Sequence, residues 1–529
     1  MGSKKMQVWL PLLLAGLMVV GMLIGYQLRD KTAGVRFFGT QRRGSIQEAI
    51  DIITNKYVDP VKGDSLTNLA MEELLGNLDP HSVYIPPADL KDFNEELMGN
   101  FQGIGVEFQQ FHDTVHVLNV IKGGPSEKAG LKVGDRLVKV NDSISLVKID
   151  PDQVRKYLRG PGGSLVKVGF LRNGKLSAVN ITRGTIPVSS IDAAYIVSPG
   201  IGFIRINKFA ERTYEEFMSN LERLQKAGMQ QLILDLRGNG GGLMNEATDI
   251  ADEFLDGDKL IVYTQGDKVA RYDYRCQKEG LFEKGKLVVL IDETSASASE
   301  VLTGALQDWD RATIIGRRSF GKGLVQQQFQ LSDGSAMRLT IARYYTPLGR
   351  NIQKPYEEGK EKYQEELAER FHNGEVLKGD SIKQKGKAYK TPAGRTVYGG
   401  GGITPDVFVP LDTTSLDAPA MRFYRRNTLV NFVYEYYTKN QGFFAQFKDP
   451  LAMAGGFVPG EQEWTALKGF AARDSIAMDG VSARDKQVLL KRMQALMARQ
   501  IWRNEGYFEI MNRQDMAVQK ALQVLQAKN

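Results

Sequence analysis

Three short segments of this 529-residue chain carry side chains that could do covalent chemistry. Asp235-Leu236-Arg237-Gly238-Asn239-Gly240-Gly241-Gly242 empties an apolar run into glycines. A loop of that kind can aim several backbone N–H groups at one point, which suits a phosphate or the oxyanion of a tetrahedral intermediate. It lacks the Gly-Lys-Ser/Thr end of a P-loop and the G-x-G-x-x-G register with a following ribose-binding acid, so nothing here argues for a nucleotide. Thr294-Ser295-Ala296-Ser297-Ala298-Ser299-Glu300 lies between an apolar strand pattern ending at Ile291 and a helical pattern through Leu302 and Leu306. A serine at a strand-to-helix turn is exposed, close to helix N–H groups that favour negative charge, as a nucleophile requires. Phe320-Gly321-Lys322-Gly323-Leu324-Val325-Gln326 sets a lysine between two glycines. If that amine is desolvated its ammonium form is disfavoured, and a neutral lysine can act as a base. Taken singly, the serines also read as a helix cap and the lysine as a solvated loop residue. Local sequence does not choose among Ser295, Ser297 and Ser299.

The order of the three segments resembles the C-terminal processing peptidases of the tail-specific protease family, S41. Leu78-Asp79-Pro80-His81-Ser82 before them and Gly401-Gly402-Ile403-Thr404-Pro405-Asp406 after them fit the same pattern, so the likeness runs from about Ile46 to Leu411. Gly103-Ile104-Gly105-Val106, with Gly124-Pro125-Ser126-Glu127-Lys128-Ala129-Gly130-Leu131-Lys132-Val133-Gly134-Asp135, resembles a PDZ domain. The family resemblance implies Ser297 as nucleophile, Lys322 as base and Gln326 as the residue holding the lysine. It implies an oxyanion hole of the Ala298 N–H and one N–H of the glycine run, Gly241 or Gly242. The PDZ resemblance implies that Gly103, Ile104 and Gly105 hold a peptide's terminal carboxylate while the peptide adds to a sheet edge. Glu300 and Asp308 match acidic positions near the family's active site and stand outside the catalytic set. The expected partners are protein substrates with exposed C-termini, an adaptor protein and a second copy of the chain joined through helical ends, with no cofactor. Two other readings exist: a catalytically silent PDZ scaffold, and an acyl-CoA enzyme of the crotonase type, which would not need the PDZ block.

The fold class that would position these residues is a multidomain α/β protein. It joins a β-rich PDZ domain to a crotonase/ClpP-like α/β peptidase core, with helical N- and C-terminal segments. The expected divisions are a helical segment over 40–98, the PDZ domain over 99–185, the peptidase core over 186–411 with a charged surface insertion at about 357–390, and a helical region over 412–529. Asn173-Gly174 marks a two-residue hairpin inside the PDZ block. The apolar runs Leu232 to Leu236, interrupted only by Asp235, and Leu287 to Ile291 read as strands buried on both faces. No motif appears beyond Leu411.

Composition narrows the class. The net charge of +7 is spread along the chain, without the Lys/Arg blocks interleaved with aromatics that a nucleic-acid surface needs. The single cysteine, Cys276, excludes an internal disulfide and a cysteine-cluster metal site, and the four histidines form no metal motif, so no metal is expected. Met6 to Leu28 is uncharged and apolar, the length of a bilayer span. Flanking lysines and arginines on both sides do not settle its orientation. The expectation is a single-pass inner-membrane anchor in the bacterial cell envelope, with the catalytic domains in the periplasm or another extracytoplasmic space; a cleaved signal peptide is the rival.

Overall fold

The structure, a computed structural model, describes residues 9, 11, 14–22 and 44–527, apart from 112, 379–385, 413–419, 422, 424, 425, 474 and 475. The chain forms two compact units, 1–71 and 72–529. The first holds the helix Ser45–Lys56 and the start of Gly63–Gly76. The membrane anchor expected at 6–28 is not supported: among the described residues no helix is long and apolar enough to cross a membrane. Residues 6–8, 10, 12, 13 and 23–28 lie outside the described residues. The envelope placement built on that anchor falls with it.

In the second unit a five-strand path, Val106–Phe111, Thr114–Val120, Arg136–Val140, Leu165–Arg172 and Lys175–Thr182, forms the PDZ-type sheet. Alternate residues Val115, Val117, Val166, Val168 and Phe170 enter a closed core under the helix Pro151–Leu158. Asn173 and Gly174 both have positive φ, 51° and 79°, as the tight hairpin requires. The ribbon of Asn100–Gly103 with Gly184–Pro187 ties the entry and exit of this domain together.

The α/β core is a six-stranded sheet in the order Ile191–Ser198, Ile201–Ile206, Gln231–Asp235, Leu287–Ile291, Thr313–Gly316, Val407–Phe408. All neighbours run parallel except the first pair. Side chains alternate across a strand, and both faces are apolar. Leu232, Leu234, Leu287, Val289 and Ile291 pack on the helices Thr213–Lys226, Met244–Asp252 and Ala298–Asp308. Ile233, Val288 and Leu290 pack on the other side against Ala517, Val518, Ala521 and Leu525 of the helix Met516–Gln526. The tail beyond Leu411, in which no motif is visible, thus covers one face of the catalytic sheet. Its other helices form a core of their own around Phe432, Leu467 and Met493.

A second, antiparallel sheet holds Val83–Ile85, Leu260–Gln265, Tyr272–Arg275, Leu324–Gln330 and Ala336–Tyr345. Lys322 stands just before its Leu324–Gln330 strand, while Ser297 stands at the end of the first sheet. The site lies where the two sheets meet.

Candidate active site

The chain leaves Leu287–Ile291 through a tight turn and enters the helix Ala298–Asp308 at Ser297, whose backbone sits at φ 55°, ψ −115°. A non-glycine residue there is strained, and such strain concentrates at functional turns. Neighbouring serines hold the turn. Ser295 Oγ donates to the Leu236 carbonyl at 2.9 Å, and Ser299 Oγ donates to the Asn239 carbonyl at 3.0 Å. Both are fully buried, whereas Ser297 is half-buried and lines a cavity of about 490 Å³. The geometry separates the three serines that sequence alone leaves equivalent.

The glycine run passes directly beside this turn. A Cβ on Gly241 would lie 2.7 Å from Ser297 Cβ and 2.8 Å from the Ala296 carbonyl oxygen, so no other residue fits. The two glycines named for the oxyanion hole differ. Asn239, fully buried, accepts the Gly241 N–H on Oδ1 at 2.9 Å. Gly242 lines the cavity together with Gly240 and Ala298. Ala298 opens the helix, and its N–H is among those no helix can satisfy internally.

Lys322 lines the same cavity and donates from Nζ to Gln326 Oε1 at 3.0 Å. Burial pulls the Lys322 ammonium down to about 8, helped by the charge of Arg338 and opposed by Asp79 and Glu300. Gln326 Nε2 in turn donates to the His81 carbonyl, which fixes which end of the amide faces the lysine. The Asp79-Pro80-His81-Ser82 turn that presents this carbonyl is pinned by Asp79, which accepts from the His81 and Ser82 N–H groups and from Ser82 Oγ. Burial and the nearby Lys322 charge hold the His81 imidazole down at about 4, so it is neutral at pH 7 and lies within 2.8 Å of the Tyr363 hydroxyl.

Two side chains cross-link the peptide groups of Ser297 and Lys322. Glu300, 1% exposed, accepts on Oε2 from the N–H of Ser297 and of Lys322, both at 2.9 Å, and on Oε1 from Gly321 N–H at 2.7 Å and Ser319 Oγ at 2.5 Å. Tyr344, buried, donates its hydroxyl to the carbonyls of the same two residues. The signal in the sequence that could place Glu300 here is its position as the fourth residue of a Ser-x-x-Glu helix start. Tyr344 carried no local signal. Asp308 takes no part: it pairs with Arg350 at 2.5 Å, both side chains fully buried and neither lining the cavity.

The charged stretch read as a surface insertion supplies a clamp. In the helix Lys360–His372, Arg370 is 1% exposed and donates to the carbonyls of Arg318, Ser319 and Phe320, just upstream of Lys322. Glu366 braces it, and that pairing together with Lys354 holds the Glu366 carboxyl down at about 2.

Gly103 ends the strand Asn100–Gly103, and Ile104 and Gly105 join it to Val106–Phe111, away from this cavity. Ile104 is buried, with its carbonyl accepting from Ser126 N–H at 2.9 Å, and Gly105 has φ 75°. Val106–Phe111 is the end strand of its sheet, with one hydrogen-bonded strand neighbour among the described residues, the position at which a peptide strand adds to a sheet.

Comparison with known proteins agrees with both halves of this arrangement. Residues 200–361 match the model of peptidase family S41, and residues 102–182 match that of the PDZ domain. A probable CtpA-like serine protease of Staphylococcus haemolyticus is 34% identical over 347 residues, which are 64% of this chain and 69% of the relative. One from Staphylococcus epidermidis is 35% identical over 310 residues, 58% of this chain and 62% of the relative. A solved structure of photosystem II D1 C-terminal processing protease is 27% identical, with a TM-score of 0.37 and coverage of 70% of this chain and 95% of that one. With the strand-to-helix serine, the glycine run and the PDZ sheet all in place, the extent of the first of these matches identifies the chain as a member of peptidase family S41, a CtpA-like serine protease with a PDZ domain.

Proposed function

We propose that the chain is an endopeptidase that works through a Ser297–Lys322 dyad and selects substrates by their carboxyl ends through the PDZ domain. Ser297 Oγ attacks the scissile carbonyl carbon as its proton passes to Lys322 Nζ. The resulting oxyanion is held by the N–H groups of Ala298 and Gly242; the engagement of Gly241 by Asn239 supports that choice over Gly241. Collapse expels the amine, which takes the proton back from Lys322, and water then repeats the sequence on the acyl-enzyme. Gln326 keeps Nζ in line. The observation that carries this reading is that Lys322, its ammonium disfavoured by burial, lines the same cavity as a serine on strained backbone. That chemistry disfavours the silent-scaffold alternative.

The test is the pH dependence of kcat/KM on an unstructured peptide. The active form is the neutral amine, so the rate should climb about tenfold per pH unit below 8 and level off above it. A profile already flat at pH 7 would remove Lys322 from the role of base.

PDZ recognition makes a separate prediction. For a substrate whose carboxyl end lies some fifteen or more residues from the cleaved bond, converting the terminal carboxylate to an amide should raise KM about 10- to 100-fold with kcat unchanged, the loss expected when a charged acceptor is removed from backbone donors. Equal KM values for acid and amide would exclude carboxylate recognition.

A further inference from the structure

The cavity that holds Ser297 and Lys322 has a wall that the mechanism above does not use. Leu324–Gln330 pairs antiparallel with Ala336–Tyr345, with Gln326 opposite Thr340 and Gln328 opposite Arg338. Side chains of directly opposed residues share a face, and residues two apart along a strand share it too. Gln326 therefore fixes the face of all four as the one toward Lys322. Gln328 and Arg338 line the cavity, where Asn94 and Leu97 of the helix Pro87–Met98 close the side.

The chemistry of this wall is unbalanced. Of the residues lining the cavity the charged ones are Lys322 and Arg338, with no carboxylate among them. Other guanidinium groups in the core have acceptors: Arg237 pairs with Asp235 and Asp515, Arg318 with Glu366 and Glu375, Arg370 with Glu366, and Arg311 donates to the carbonyls of Phe254, Phe282 and Gly285. Arg338 is half-buried and lies over the Phe93 ring, 4.2 Å from its centroid. It has no ion pair or hydrogen bond among the described residues, and the exposed Glu96 attracts it only from a distance. Beside it Gln328 Oε1 is buried without a partner, while its Nε2 reaches Asn94. A guanidinium presents a planar fork of donors that matches a carboxylate two-pronged, and it stays charged at any working pH.

We propose that Arg338 anchors a carboxylate of the substrate in this cavity, close to the peptide bond presented to Ser297. The inference rests on the Ser–Lys reading of the cavity. Arg338 stands opposite a position two residues along the strand from Gln326, a step of about 7 Å, so the carboxylate belongs one to three residues from the cleaved bond. An Asp or Glu side chain supplies it, or the α-carboxylate of a short tail; both present the same group. Lysine or arginine at that place meets the Arg338 guanidinium and is disfavoured by like charge. Arg338 also bears on the base, because its charge disfavours the Lys322 ammonium.

The experiment uses amidated peptides, which give the PDZ loop no terminal carboxylate, with Asp or Asn at each of the three positions on either side of one cleavable bond. A second arm compares acid and amide ends on tails of two or three residues and so separates the two sources. The wild type should favour the carboxylate member of at least one pair by about 10- to 100-fold in kcat/KM. Arg338→Gln should bring that ratio to near one, and Arg338→Lys should keep part of it. The ratio cancels any general loss of rate, and loss of the Arg338 charge in Arg338→Gln should also move the pH–rate midpoint upward. A wild-type ratio of one throughout both arms overturns the proposal, as does a ratio that survives Arg338→Gln in a variant with a wild-type melting profile. The same pairs bound to Ser297→Ala protein, followed by fluorescence anisotropy, read the ratio without turnover. Cleavage by Ser297→Ala at the wild-type rate would sink the Ser–Lys reading and leave the anchor separately measured.

Discussion

Lys322→Arg should reduce kcat by about 10⁴-fold or more on an unstructured substrate while the protein keeps its fold, the scale of loss when a member of a nucleophile–base unit is removed. The substitution keeps the positive charge, much of the length and a donor for Gln326 Oε1, which now accepts from Nζ at 3.0 Å. It removes one property. Burial and the charge of Arg338 hold the lysine near 8, so at pH 8 about half the molecules carry a free amine. No environment of this kind frees a guanidinium of its proton. Ser297→Ala should cost as much as Lys322→Arg, and the double variant no more than either alone, because proton acceptor and nucleophile act as one unit. The measurement is kcat for the four proteins, with circular-dichroism melting as the check on folding. Lys322→Arg within tenfold of wild type would mean that another group takes the serine's proton. His81 is poorly suited to do so, since an imidazole titrating near 4 is too weak a base at pH 7 and its ring nitrogen is engaged with Tyr363.

What could be read from the sequence was set by range. The paired apolar runs at 231–235 and 287–291, the Asn173-Gly174 hairpin and the serine between strand and helix depend on neighbours a few residues away, and they stand where local pattern puts them. Thr313–Gly316 went unread because four residues carry too little periodicity to be seen. Long-range closure was the harder part. Tyr344 reaches the carbonyls of Ser297 and Lys322, and nothing in the strand around it distinguishes one tyrosine from the next. The glycine whose N–H remains for an oxyanion depends on Asn239, whose side chain captures Gly241 and whose ordinary appearance in a turn hides that role. Arg370 and Glu366 read as a solvated charge pair on a helix until the partner carbonyls of 318–320 come into view. The apolar stretch at 6–28 is the converse case: composition alone suggests an anchor, and among the described residues no helix is long and apolar enough to cross a membrane.

Glu300→Gln tests that long-range frame where it is densest. Four donors converge on two carboxylate oxygens, two on each, and they come from Ser297, Ser319, Gly321 and Lys322. An amide offers one oxygen. In either orientation its NH₂ faces two of the donors, leaving groups unsatisfied at about 1–3 kcal/mol each. The expected loss of stability is therefore roughly 2–5 kcal/mol. Because the same contacts set the spacing of Ser297 and Lys322, the proposed mechanism requires that a shift of the order of 1 Å lower kcat about 10²-fold. KM should stay within a few-fold, since Glu300 does not line the cavity. The pH dependence gives a sharper signature. Burial pushes the Glu300 carboxyl up to about 7 from an ordinary value of 4.5. Across that window the folded protein holds a proton that the unfolded chain releases. This contribution to stability is full below pH 4.5 and is lost as pH rises through 7. Glutamine has no such proton, so the gap in unfolding free energy between wild type and variant should widen as pH falls from 7.5 to 5, by up to about 3 kcal/mol. A gap that stays constant over that range would show that the carboxylate remains ionised among its four donors, and that hydrogen bonding outweighs burial at the one acid joining the two halves of the site.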